Sequence, residues 1–143
     1  MGTLEKEILP KDEQEKIVCK VNDFVRATLG QDQKVTAIVA IGSVLDWKLG
    51  KYKEPKKGRY YSDIDLVVFV DDDFRVPNDW KLHLQSDFYT VYNSKEIDNI
   101  LIQYWLCRKK DYQDPDKQDV VEKRGVPFKL EASRNRFLPM FIR

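Results

Sequence analysis

Two carboxylates, separated by one residue, open an apolar segment of the chain. The segment DIDLVVFV covers 63–70 and begins with Asp63 and Asp65. In an extended strand alternate side chains point to the same face, so the two carboxylates would project side by side. Like charges that close repel each other unless a cation lies between them, and Mg²⁺ prefers oxygen ligands. The spacing predicts a divalent metal site, and an Asp-rich turn ahead of a strand is the alternative interpretation.

A Gly-Ser pair ends an earlier apolar segment. Residues 35–42 read VTAIVAIG, and Ser43 comes next. A glycine at the end of a strand lets the backbone approach a bulky anion, and the serine offers a hydroxyl and an N–H to phosphate oxygens. If the two strands are neighbours, Gly42 and Ser43 join the Asp pair in a site for a nucleotide and its metal ion.

A third carboxylate on a neighbouring strand would complete a two-metal site of the kind that supports phosphoryl-type transfer. Two residues are candidates. Asp98 lies near the start of the apolar segment 97–106, and Asp87 lies at the start of 87–93. The residues alone leave both candidates open, whereas the run Asp71-Asp72-Asp73 is typical of a solvated turn.

The order of the predicted helices and strands along the chain indicates an α+β fold, with an element order similar to that of α/β proteins. We expect a mixed sheet of about four to five strands flanked by helices. Apolar residues at helical spacing predict an N-terminal helix over about 12–29, ended by Gly30. A short helix is expected around 116–124, before Gly125. The predicted strands cover 35–42, 63–70, 87–93 and 97–106, the last two forming a hairpin joined by the polar stretch 93–96. We expect residues 1–143 to form one domain, with its core over about 35–130 and a tail over 131–143.

A basic segment precedes the Asp pair. Residues 48–59 read KLGKYKEPKKGR, with six basic residues and one acidic residue, which is typical of a flexible, exposed loop. Trp47, Tyr60 and Tyr61 flank this segment, and either stacking on a base or packing against the core would suit them.

Composition excludes several classes of protein. The 143 residues carry 25 basic and 24 acidic side chains, and this near-neutral balance argues against nucleic-acid binding as the main activity. No apolar stretch approaches the roughly 20 residues that a membrane helix needs, and the charged first residues do not resemble a secretory signal. Two cysteines and a single histidine make a zinc site improbable and predict a reduced, cytoplasmic protein. We interpret that histidine, His83, as a surface or partly packed residue and not as a general base.

Several of these motifs together resemble a known superfamily. The segments IGSVLDWKLG and YYSDIDLVVFV are similar to the Gly-Ser and Asp-x-Asp signature of the nucleotidyltransferases related to DNA polymerase beta, in particular the minimal single-domain type. KEIDNILIQYW resembles the superfamily's third-carboxylate strand, and VVEKRGVPFKL at 120–130 resembles its C-terminal ending. The resemblance spans about 35–130. One departure is the nineteen residues between Ser43 and Asp63, where small members have a loop roughly half as long.

The resemblance implies a nucleotidyltransferase fold and a nucleoside triphosphate, ATP first among them, as substrate. Gly42 and Ser43 would contact its β and γ phosphates. Small members of the superfamily often carry a basic residue soon after this serine, and here Lys48 is the first one available. The longer basic segment would then supply further cations to the triphosphate, or mark a remodelled site.

The resemblance also implies the metal ligands. Asp63 and Asp65 would bind two Mg²⁺ ions, or Mn²⁺ in their place. Asp98 would bind the catalytic ion and favour deprotonation of an acceptor hydroxyl, which attacks the α-phosphorus and releases pyrophosphate.

Partners and alternatives follow from the same resemblance. Small members often act beside a helical partner protein, and some modify that partner on a tyrosine as the antitoxin of a toxin–antitoxin pair. The acceptor here would therefore be supplied by another molecule. The alternatives are a catalytically inactive nucleotidyltransferase fold that binds a partner protein or a nucleotide and, less favoured, a nucleic-acid-binding protein that uses the basic segment.

Overall fold

The computed structural model describes residues 6–56, 58–131 and 133–143, and the described part of the chain is an α+β fold. Its helices and strands alternate irregularly along the chain. They are β1 (Lys6–Ile8), α1 (Lys11–Thr28), β2 (Val35–Ile41), β3 (Gly50–Lys56), β4 (Arg59–Tyr61), β5 (Asp63–Val70), β6 (Lys81–Gln85), β7 (Thr90–Ile97), β8 (Ile100–Arg108), α2 (Lys109–Tyr112), α3 (Pro115–Lys123) and β9 (Leu138–Ile142). Among these described elements, no helix is both long enough and apolar enough to cross a membrane.

The main sheet has six strands in the order β6-β7-β8-β5-β2-β9. Strands β5 and β8 run parallel, and the other neighbours run antiparallel, so the predicted mixed sheet is confirmed. The predicted strands at 35–42 and 63–70 are also confirmed and lie side by side. Strands β6 and β9 at the two edges add to the four or five strands that the sequence predicts.

Helix α1 covers one face of this sheet. It packs the apolar side chains Ile17, Val21 and Val25 into the larger of two hydrophobic clusters. The second cluster lies on the other face, where Val121, Val126 and Phe128 cover the sheet from α3 and the segment after it. The predicted helices at 12–29 and 116–124 are both confirmed within one residue.

The β7–β8 hairpin differs from the predicted one. The predicted connection at 93–96 is wrong, because those residues belong to β7 and the turn lies at Asp98-Asn99. Both turn residues have positive φ, 50° for Asp98 and 71° for Asn99. Asp and Asn tolerate this left-handed conformation better than other residues with a Cβ, and two such residues match the twist of a tight hairpin. Asp98 is therefore a turn residue.

The basic segment is not the predicted loop. It forms β3 and β4, which make a three-stranded antiparallel sheet with β1 in the order β1-β3-β4. Gly50 permits this sheet, since a Cβ at this position would lie 2.3 Å from the carbonyl oxygen of Glu7. Buried Ser62 closes the other side by accepting a hydrogen bond from the Gly50 N–H at 2.9 Å.

Gln14 joins the small sheet to helix α1. Its side chain is 1% exposed, and its Nε2 donates to the carbonyl oxygens of Leu9 at 2.7 Å and Trp47 at 2.8 Å. Its Oε1 accepts from the N–H of Leu49 at 2.9 Å. One side-chain amide therefore provides the hydrogen-bond partners of three backbone groups, which belong to two separate segments.

Gln14→Leu should be strongly destabilising. The substitution leaves one buried and two partly buried backbone groups without partners. Each such loss costs roughly 1–3 kcal/mol when buried, so we expect a decrease of at least about 2 kcal/mol in the free energy of unfolding. Urea denaturation measures this difference. Gln113→Leu, at an exposed position, is the matched control and should change the same quantity by less than about 0.5 kcal/mol. Equal unfolding midpoints for the two variants would contradict the role given to Gln14.

Candidate functional site

The Asp pair and the Gly-Ser pair meet at one end of the central strands. Because β2 and β5 are antiparallel, the end of β2 lies beside the start of β5, with Ile41 paired to Asp65. Gly42 follows with φ +78°, and a Cβ on this residue would lie 3.3 Å from Asp65 Oδ2. Ser43, partly buried, continues into a short 3₁₀ turn, Gly42–Asp46. The structure therefore brings together the two motifs that the sequence links to phosphate and metal binding.

Both carboxylates of the pair are costly to ionise. Burial raises the pKa of Asp65 to about 6, opposed by a long hydrogen bond of 3.4 Å from Trp105 Nε1, while the charge of Asp63 adds to the rise. Burial also raises the pKa of Asp63, and the charges of Arg59 and His83 oppose that rise. Two half-buried carboxylates with raised pKa values fit a site whose charge is balanced by a bound cation.

Asp98 does not join this pair. It lies in the β7–β8 turn, where its carboxylate accepts from Lys20 Nζ at 2.8 Å and lines a separate depression beside α1. Within the described ranges, no group of three or more His, Cys, Asp or Glu side chains is placed to hold a metal ion. The alternative, Asp87, is exposed ahead of β7, and its charge acts on Lys117 of α3. The predicted three-carboxylate cluster is thus not assembled, because the hairpin turn carries Asp98 away from the Asp pair.

A neutral amide occupies the place next to Asp65. In the parallel β5–β8 pair Asp65 lies opposite Gln103, and in the β7–β8 pair Gln103 lies opposite Asn93. Gln103 is 9% exposed, and its Nε2 donates to Asn93 Oδ1 at 2.8 Å. Neither residue belongs to the motifs that the sequence links to metal or phosphate binding. The available signal was the one polar residue inside the apolar run ILIQYWLC.

A cavity of about 290 Å³ adjoins Asp63 between the small sheet and the main sheet. Its charged and amide-bearing lining residues come from six strands, one from each of β3 to β8. They are Lys56, Arg59, Asp63, His83, Asn93 and Gln103. His83 is exposed on the edge strand β6, as the sequence predicts, but it also faces this cavity.

Arg59 connects the small sheet to the site. Its Nε lies 3.4 Å from Asp63 Oδ1, its NH1 group pairs with Glu96, and its NH2 group donates to the carbonyl oxygen of Asn99 at 3.1 Å. The guanidinium therefore offsets part of the charge of Asp63. It also fixes β4 against the β7–β8 turn.

The other residues named from the sequence are Lys48 and the three aromatic residues beside the basic segment. Lys48 is exposed. Burial lowers the pKa of Lys6 in β1 most, the charge of Lys56 lowers it next, and the charge of Lys48 lowers it least. The Trp47 ring lies 5.3 Å from Lys11 Nζ, and Tyr60 is 50% exposed. Of the aromatic residues considered for base stacking, Tyr61 lines the cavity.

No family model matches the chain, and a search of curated proteins finds no match. The function of this protein must therefore be inferred from the geometry of the site. Its donor set suits a hard cation, because Asp63 and Asp65 provide carboxylate oxygens from alternate positions of β5.

Asp65→Asn should make the metal-free protein more stable at neutral pH. The folded-state pKa of about 6 lies above the unfolded value of 3.8, so the folded state holds more protons between these values and loses stability as the pH rises from about 4 to 6. Two pKa units correspond to about 3 kcal/mol, an upper limit for the gain at pH 7. Asparagine keeps an acceptor for Trp105 and does not ionise.

Urea denaturation at pH 4 and pH 7, in the presence of a chelator, tests this prediction. The two proteins should be nearly equal in stability at pH 4 and differ at pH 7. Asp79→Asn, at an exposed turn position, is the control and should leave the free energy of unfolding within about 0.5 kcal/mol of the wild type. A variant that is less stable than the wild type at pH 7 would show that the Asp65 carboxylate is stabilising.

Proposed function

We propose that this protein is a Mg²⁺-dependent nucleotidyltransferase that moves a nucleoside monophosphate from a nucleoside triphosphate, ATP first among them, to an acceptor hydroxyl. The observation that carries the proposal is the contact between two motifs. The backbone of Gly42 lies against the carboxylate of Asp65, with Asp63 next on the same face of the sheet. A phosphate chain bound at Gly42-Ser43 would meet a cation bound by the two carboxylates.

The residues of the site have separate roles in this reaction. The N–H groups and hydroxyl of Gly42-Ser43 bind the β and γ phosphate oxygens, and Asp63 and Asp65 hold Mg²⁺. When bound, Mg²⁺ supplies the positive charge that offsets the charge gathering on the α-phosphate and the leaving pyrophosphate. The acceptor oxygen forms a bond to the α-phosphorus, the bond from that phosphorus to pyrophosphate breaks, and the hydroxyl proton leaves to water.

A second candidate function is favoured by Gln103. The amide opposite Asp65 cannot carry the charge that a third carboxylate would bring, so two carboxylates support one divalent ion more readily than two. A site with one metal ion binds a nucleotide without the second ion that would activate the acceptor. The second candidate is therefore a module that binds Mg²⁺ and a nucleotide without transferring it, and a helical protein is the binding partner to test for such a module.

Nucleotide binding can be tested by thermal unfolding. ATP and Mg²⁺ together should raise the melting temperature by more than the sum of their separate effects, since each completes the other's site. A ligand at 100 times its Kd adds about 2.7 kcal/mol of stability. Asp63→Asn should abolish this joint stabilisation. Asp98→Asn is the matched control and should retain it, because Asp98 pairs with Lys20 outside the site.

The result that would refute both candidates is the absence of a joint shift with any of the four ribonucleoside triphosphates. Loss of the shift in Asp98→Asn would instead show that Asp98 takes part in the site in solution.

Gln103→Glu separates the two candidates. The substitution is nearly isosteric and places a third carboxylate opposite Asp65, so we expect it to lower the Mg²⁺ concentration needed for half-maximal transfer at least several-fold. The measurement is transfer of label from the α-phosphate of ATP to a candidate acceptor, with Asp63→Asn as the inactive reference. Transfer by the wild type supports the enzyme. ATP binding without transfer by either protein supports the binding module.

A further inference from the structure

We propose that the cavity beside Asp63 is the acceptor subsite, and that it binds a small sugar phosphate whose hydroxyl receives the nucleotide. The inference rests on the proposed function and names its acceptor. The cavity, about 290 Å³, lies near the lower end of the range for small-molecule pockets, which suits a single sugar ring with one phosphate. It lies between the small sheet of β1, β3 and β4 and the open end of the main sheet.

The charges around the cavity favour an anion. Lys56, Arg59 and His83 line it, and Asp63 is the acidic residue among its lining side chains. Arg59 is partly neutralised by Asp63 and Glu96. Lys56 makes no ion pair with the described residues, and its Nζ lies 5.6 Å from the centre of the Tyr52 ring. Lys56 therefore offers the charge best placed to receive the phosphate, with His83 on the opposite wall.

The remaining polar groups suit hydroxyls. Gln103 Nε2 is engaged by Asn93 Oδ1, and this bond leaves Asn93 Nδ2 as a donor and Gln103 Oε1 as an acceptor on the wall of the cavity. A hydroxyl group is both a donor and an acceptor, so an adjacent pair of hydroxyls on a sugar ring can use both groups.

The position of the cavity suits an acceptor. Asp63 belongs to the metal-binding pair and also lines the cavity, so a hydroxyl held there lies next to a nucleotide bound by that pair. Holding two reactants in contact contributes a large part of the rate enhancement in such a transfer. The long segment between Ser43 and Asp63 has a role in this arrangement, since its strands β3 and β4 supply Tyr52, Lys56 and Arg59 to the cavity.

The single histidine provides a specific probe. We would titrate the protein with ribose 5-phosphate and follow the ring-proton NMR signal of His83, the one histidine in the chain. We expect a saturable shift with ribose 5-phosphate and a much weaker one with ribose. Lys56→Met should weaken binding at least fivefold. Lys109→Met, an exposed lysine on α2, is the matched control and should bind as the wild type does.

Several outcomes would overturn the proposal. Equal shifts with ribose and ribose 5-phosphate, or unchanged binding by Lys56→Met, would show that the phosphate is not recognised at this cavity. Equal affinity for inorganic phosphate and ribose 5-phosphate would reduce the cavity to an anion site without sugar recognition. Tighter binding of a six-nucleotide RNA would replace the small molecule with the end of a nucleic acid.

The outcome for the proposed function is measured separately. If Mg²⁺ and ATP stabilise the protein together while ribose 5-phosphate leaves His83 unmoved, the acceptor inference fails and the nucleotide site stands. If ribose 5-phosphate binds while no nucleoside triphosphate does, the nucleotidyltransferase proposal fails, and with it the acceptor role of the cavity.

Discussion

The burial of two like charges on one face of the central strand is the constraint around which the site is organised. Strand β5 is otherwise apolar and packed on both faces, so Asp63 and Asp65 are the two residues of the strand whose ionised side chains are disfavoured by burial. Partial compensation comes from Arg59 beside Asp63 and from the indole N–H of Trp105 beside Asp65. Because neither interaction fully offsets the loss of hydration, as the raised pKa values show, the pair has the character of a binding site rather than of a stabilising element.

The small sheet depends on a few buried polar contacts rather than on a core of its own. Gln14 fixes the segment ahead of it to helix α1, and the Gly50–Ser62 contact closes it beside β5. Arg59 then attaches its far strand to the β7–β8 turn. A lysine-rich segment with little apolar surface is in this way held at a defined distance from the Asp pair. Its cations can therefore take part in binding without first paying the entropy of ordering a loop.

The sequence predicts the central part of this structure because the signals there are local. Continuous β-branched runs identify β2 and β5, and their adjacency brings Gly42 to Asp65. The small sheet could not be predicted, since its lysine-rich strands form only against β1 and the buried Ser62. The β7–β8 register could not be predicted either, because a two-residue turn of positive φ sets it. That register places Gln103, and not Asp98, beside Asp65. The edge strand β6 alternates polar and apolar residues in KLHLQ, a short strand signal that the predicted strands left out, and all five of its residues are exposed.

The exchange of a third carboxylate for Gln103 changes how the negative charge of a nucleotide would be balanced. A cluster of three carboxylates needs two divalent ions, and these ions in turn neutralise the triphosphate. The Asp pair with a neutral amide is satisfied by one ion, so more of the phosphate charge must meet cations of the protein itself. In this chain Arg59, which the small sheet places beside Asp63, is such a cation. On the proposed function, the long basic segment and the missing carboxylate are therefore two parts of one arrangement, in which protein side chains provide charge that a second metal ion would otherwise supply.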